Sequence, residues 1–222
     1  MEMIGSGKNK SPLIKRLLFF TLILLALVGI SSIASEWIPN QRAENKIGVV
    51  DITGLISDSE HIVNQVKKFG ADKRIRGIVL RIDSPGGSVG PSQEIYDEVL
   101  KTRKGGKVIY ASMGALAASG GYYIASAAEK IFANPGTLTG SIGVIMAFSN
   151  AKGLMEKIGL QPEIIKAGKY KDIGSPARAM TQNEKNLLQS VVADVHQQFI
   201  EAVANGRDIS IAEVTKIADG RI

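Results

Sequence analysis

One uncharged run, Leu17–Ala34 (LLFFTLILLALVGISSIA), stands apart from the rest of the chain, where apolar and polar positions alternate. As a helix it would reach roughly 27 Å at about 1.5 Å per residue, close to the hydrocarbon thickness of a bilayer. Lys8, Lys10, Lys15 and Arg16 precede the run, and Glu36 and Trp37 follow it. The asymmetry of basic residues places the N-terminus in the cytoplasm and the rest of the chain outside. The pattern therefore predicts a basic cytoplasmic segment over 1–16, a transmembrane anchor over 17–34 and a short polar linker over 35–46. A cleaved signal peptide is the alternative, because Ser32 and Ala34 are small residues where a signal peptidase needs them. The uninterrupted length of Leu17–Ile30 favours the anchor. With no polar face to meet water, the run does not read as a soluble helix.

Beyond Lys46 short apolar runs alternate with helical periodicity. Strands are predicted at Ile47–Gly54, Gly77–Asp83, Lys107–Ser112 and Lys130–Asn134, and again at Gly143–Ala147 and around Ile164 and Ile165. Helices are predicted over Asp58–Phe69, Ser92–Lys101, Ser119–Ala127, Asn150–Ile158 and Thr181–Ala204. The last opens with Thr181 and Glu184, the spacing of a capping box. Strands alternating with helices imply βαβ units and a mostly parallel sheet, hence one α/β domain over 47–222.

Composition narrows the chemistry. Hydrophobic residues make up 45% and charged residues 22% of 222, which suits a globular core and excludes a disordered chain. The absence of cysteine removes thiol nucleophiles, disulfides and cysteine-bound zinc. With only His61 and His196, no multi-histidine metal site is available. Half of the net charge of +6 comes from the segment before the apolar run, where four basic residues stand against Glu2, so it argues for no nucleic-acid partner.

Two segments invite a chemical reading. Gly114–Gly121 (GALAASGG) leads from a strand into a helix with almost nothing larger than serine. It would let a substrate or neighbouring backbone approach Ser119 closely, beside free N–H groups able to hold an oxyanion. Tight packing of a helix on the sheet explains it equally well. Asp83–Gly90 (DSPGGSVG) reads as a Pro-Gly-Gly turn with exposed N–H groups, or simply as a tight turn. It lacks the GxxxxGK[ST] phosphate pattern. A serine nucleophile needs a base. His61 precedes both segments, and His196 reads as a surface or packing residue of a long helix. That leaves the lysines of KAGKYKDIGSP, Lys166, Lys169 and Lys171, among which the residues alone do not choose.

DSPGGSV, MGALAASGGYYIASAAEKIFA, TLTGSIGVI and AGKYKDIGSPARAMTQNEK, in this order and spacing, resemble the signal peptide peptidase A family over roughly Lys46–Ile222. The resemblance implies a membrane-anchored serine peptidase with the Clp/crotonase fold, built of repeated ββα units on a mostly parallel sheet. It implies Ser119 as nucleophile, Lys171 as general base and Ser141 as the residue that holds the lysine. Gly86, Gly87 and the N–H of Gly120 would form the oxyanion hole. Members of the family continue beyond a segment like Ala218–Arg221, so the domain over 47–222 reads as truncated at its C-terminus.

A free lysine amine, with a pKa of about 10.4, is protonated at neutral pH, so such a base requires an environment that favours its neutral form. The resemblance further implies no metal or cofactor, and signal-peptide remnants as substrates. It implies a homo-oligomer that shares active sites between copies, at the bacterial cell membrane with the catalytic domain outside. A crotonase-type acyl-CoA enzyme and a catalytically inactive, membrane-anchored scaffold are the alternative readings.

Overall fold

The computed structural model describes residues 12–37 and 45–222, which fall into two compact units, Met1–Glu44 and Asn45–Ile222. The expected basic segment over 1–16 and linker over 35–46 lie largely outside the described residues. In the first unit, helix α1 (Pro12–Trp37) takes in the whole uncharged run. Among the described residues no helix is long and apolar enough to cross a membrane. The described side chains of α1 run from Lys15 to Ile30, and apart from Gly29 all are exposed.

The second unit alternates strands and helices. Strand β1 (Lys46–Ile56) is followed by helix α2 (Glu60–Ala71), β2 (Ile75–Gly87), α3 (Val89–Lys104), β3 (Val108–Ala118) and α4 (Gly120–Ser126). Short strands β4 (Lys130–Phe132) and β5 (Leu138–Gly140) come next, then α5 (Lys152–Lys157), α6 (Gln182–Arg207) and α7 (Ile211–Ile217). The sheet order is β1-β2-β3-β4, and β5 also pairs with β3. Every pairing is parallel. β4 lies against Tyr110–Ser112 and β5 against Leu116–Ala118, so the two are successive pieces along one edge of β3.

Period-two burial builds the core. Val50 and Ile52 of β1, Ile78, Leu80 and Ile82 of β2, and Ile109, Ala111 and Met113 of β3 are buried. They meet Val66 of α2, Ile95 and Val99 of α3, and Ile124 of α4.

Four expectations need correcting. The SPGG segment is not a turn: β2 runs through it to Gly87, and its alternation continues, with Ser84 and Gly86 buried and Pro85 and Gly87 exposed. β3 likewise absorbs the small-residue run as far as Ala118. No strand forms over 143–147 or at Ile164 and Ile165, where the apolar side chains are mostly exposed and lack ladder partners. Finally, β1, β2 and β3 are each followed by a helix, and only β4 and β5 come in direct succession. The sheet is parallel as expected, without a repeated ββα unit among the described residues.

Candidate active site

The edge pairing of β3 with β5 brings two serines side by side. Ala118 is in register with Gly140, so the next residue of each strand, Ser119 and Ser141, leaves the sheet at the same level. Both take a positive φ, 51° at Ser119 and 53° at Ser141, which costs a non-glycine residue about 1–3 kcal/mol. The Ser119 N–H donates to the Gly140 carbonyl at 2.9 Å, and the Ser119 carbonyl accepts from Tyr123 N–H at 2.8 Å. Backbone bonds on both sides therefore pin the kink. Ser119 precedes α4, yet its hydroxyl makes no capping bond to the helix.

Backbone crowds this kink because three glycines meet there. A Cβ on Gly86, whose φ is +94°, would lie 2.5 Å from the Gly120 nitrogen and 2.9 Å from Ser119 Cβ. One on Gly120 would meet Ser92 Oγ at 2.5 Å and the Gly87 nitrogen at 3.3 Å. The end of β2 thus lies directly on the start of α4. The Gly86 N–H donates to Ser84 Oγ at 3.1 Å, and that hydroxyl donates to the Gly54 carbonyl at 2.6 Å. Thr139 and Thr137 brace β3 from the other side, donating to the Ala117 and Gly114 carbonyls, both at 2.8 Å.

Ser119, Gly120, Ser141 and Gly87 line a cavity of about 620 Å³. Its other walls come from Tyr123, from Val144 and Ile145, and from Gln189, Val192, His196 and Phe199 of α6. Tyr123 packs edge-on to Tyr96 and tilted against Phe199, and burial pushes its phenol up to about 12. The contribution of α6 was not apparent in the sequence. His196 is half-buried in the cavity wall, with Nε2 buried and without a hydrogen-bond partner, so it is no surface residue. His61 is exposed on α2.

The three candidate lysines differ in their surroundings. Lys166 is ion-paired with Asp172, and Lys169 sits 5.2 Å above the Tyr170 ring. Lys171 is exposed, and its amine has no hydrogen bond or ion pair among the described residues. It is not among the residues that line the cavity with Ser119. Asp172, beside it in sequence, is held well below the usual carboxylate range by the Arg178 guanidinium and then by Lys166. Glu184 is lowered to about 2, first by Arg178 and then by the Thr181 N–H. Arg178 is raised by the same two carboxylates, Glu184 first.

Residues 101–222 match the profile of Peptidase family S49. The chain is 41% identical over 187 residues to a Synechocystis protein named as a protease, covering 84% of this chain and 67% of that one. An Enterococcus faecium protein named signal peptide peptidase SppA is 35% identical over 207 residues, covering 87% and 60%. A chloroplastic serine protease SPPA of Arabidopsis thaliana is 34% identical over 176 residues, covering 79% and 26%. The chain thus spans about 60–67% of the length of the first two relatives.

Proposed function

Since the chain belongs to peptidase family S49, we propose that it cleaves peptide bonds with Ser119 as nucleophile and Lys171 as general base. The observation that carries this reading is the Ser119 kink, a strained serine pinned by backbone at a cavity wall with its hydroxyl unspent on capping. Of the three lysines nearby in sequence, only Lys171 leaves its amine without a partner among the described residues.

In the proposed reaction the neutral Lys171 amine takes the Ser119 proton as Oγ attacks the substrate carbonyl. The N–H groups of Gly120 and Gly87 face the tetrahedral oxyanion, since Gly86 already donates its own to Ser84. The role of Gly86 is instead to have no side chain. Ser141 anchors the lysine through its hydroxyl. Collapse expels the amine with the proton from Lys171, and water then hydrolyses the acyl-enzyme by the same base.

The substrate class we propose is signal-peptide remnants, as the name of the Enterococcus relative suggests. The uncharged sequence run Leu17–Ala34, with Lys8, Lys10, Lys15 and Arg16 only on its N-terminal side, supports a single-pass anchor with the peptidase unit outside the cell. Lys171 is exposed and does not line its own chain's cavity, which supports a homo-oligomer where the base enters from a neighbouring copy. An interface would also exclude the water that keeps an amine charged.

A membrane-impermeant fluorophosphonate tests nucleophile and topology together. Added to intact spheroplasts, it is expected to modify Ser119 on a protein that sediments with membranes. Modification only after lysis would retain the nucleophile and overturn the topology; modification elsewhere, or nowhere, would overturn the nucleophile.

A further inference from the structure

Segment 166–178 carries the Lys171 base in simple turns, closed by local bonds such as Lys171 N–H to the Gly168 carbonyl at 3.2 Å. Its firmest tie is a guanidinium. Arg178 Nε donates to Asp172 Oδ2 at 2.8 Å, and Asp172 is the residue after Lys171. The two terminal nitrogens of Arg178 donate to the carboxylate of Glu184, Nη1 to Oε2 at 2.8 Å. Glu184 is the third residue of α6, and its Oε2 also accepts the Thr181 N–H at 2.8 Å, closing the capping box. Both carboxylate side chains are screened from water, with 10% of Asp172 and 4% of Glu184 exposed. One planar fork therefore joins the lysine-bearing turn to the helix that also lines the Ser119 cavity.

We propose that Arg178 is a positioning residue, which holds the Lys171 turn against the start of α6 through Asp172 and so fixes where the base amine can reach. The inference rests on the Ser119–Lys171 reading above. A lysine side chain is long and flexible, so the place of its amine is set by how firmly its backbone is tied down. No other residue type supplies donors to both carboxylates at once in fixed geometry. Without the guanidinium, Asp172 would keep only Lys166 of its own segment and Glu184 only the Thr181 bonds of its own cap, so no side-chain bond among the described residues would tie the turn to the helix. The amine would remain, but out of place.

A double-mutant cycle in the full chain tests this, using peptide turnover together with the slow acylation of Ser119 by an activated nitrophenyl ester. Arg178→Ala is expected to lower kcat about 100-fold, the scale of a displacement of roughly 1 Å in a catalytic group, with KM changed less than about 3-fold. In a Lys171→Ala background, the same substitution should change residual acylation by less than about 2-fold, because the group it positions is gone. Arg178→Lys keeps the charge but spans one carboxylate at a time, so it should lose about 10-fold with the same coupling. It carries the cycle if Arg178→Ala melts without a cooperative transition. Equal losses in both backgrounds would overturn the positioning role while leaving the dyad intact. Wild-type turnover by Lys171→Ala would overturn both.

Discussion

Ser119→Ala and Lys171→Ala are each expected to abolish peptide hydrolysis, whereas Lys169→Ala should keep it within about 2-fold of the native rate. The first removes the nucleophile, and a loss of about 10⁴-fold or more is expected, since what persists comes from binding and oxyanion stabilisation alone. The second removes the base, and proton transfer by a placed side chain contributes about 10²- to 10⁴-fold. The contrast with Lys169 follows from the surroundings of the two amines. That of Lys169 lies over the Tyr170 ring, while Lys171 has no partner among the described residues. Peptide turnover of the three purified variants, each with its melting temperature, gives the comparison. Native turnover by Lys171→Ala would assign the base elsewhere.

Gly86→Ala is expected to be nearly as damaging to activity, although it touches no reacting atom. At φ +94° a Cβ is strained whatever the space, and here it would also overlap the Gly120 nitrogen and Ser119 Cβ. Backbone strain and overpacking together destabilise by about 2–4 kcal/mol. The easiest relief moves Ser119 and the oxyanion donor apart, so kcat/KM should fall at least about 100-fold even where the protein stays folded. Gly90→Ala is the control. Its Cβ would meet nothing within 4 Å, and in α3 the exchange should be neutral or stabilise by up to about 1 kcal/mol. Urea midpoints and turnover of the two variants separate the effects. Parity between them would mean that the approach of β2 to Ser119 is not what shapes the site.

Much of this was legible from residues because the strongest signals are local. The period-two runs of β1 to β3 and the Thr181–Glu184 box of α6 specify themselves through neighbours in sequence. The structure departs from the sequence pattern where distant partners decide. Pro85 and the paired glycines suggest a turn, yet Ser84 Oγ joins Gly54 of β1 to Gly86 and carries the strand onward. The apolar residues near Ile145 and Ile165 have strand-like composition, but no neighbouring strand takes up their backbone. β5 is three residues long, too short for periodicity, and still fixes the level of Ser119 and Ser141. Between surface and packing, His196 takes the packing side, which spacing leaves open because it identifies the faces of a helix without saying which one borders a cavity. Among the three lysines the family resemblance points to Lys171, and the pairings of Lys166 with Asp172 and of Lys169 with Tyr170, seen only in three dimensions, support it.

In the proposed enzyme Ser119 and Lys171 act as one dyad, with the base supplied by a neighbouring copy. Two inactive full-length proteins, Ser119→Ala and Lys171→Ala, test this most directly when they are co-expressed with different affinity tags and purified through both. Mixed assemblies should contain interfaces where an intact Ser119 meets an intact Lys171. The expected result is peptide hydrolysis regained to a sizeable fraction of native turnover, while each variant alone stays silent. Mixed assemblies that form and remain inactive would contradict the shared dyad.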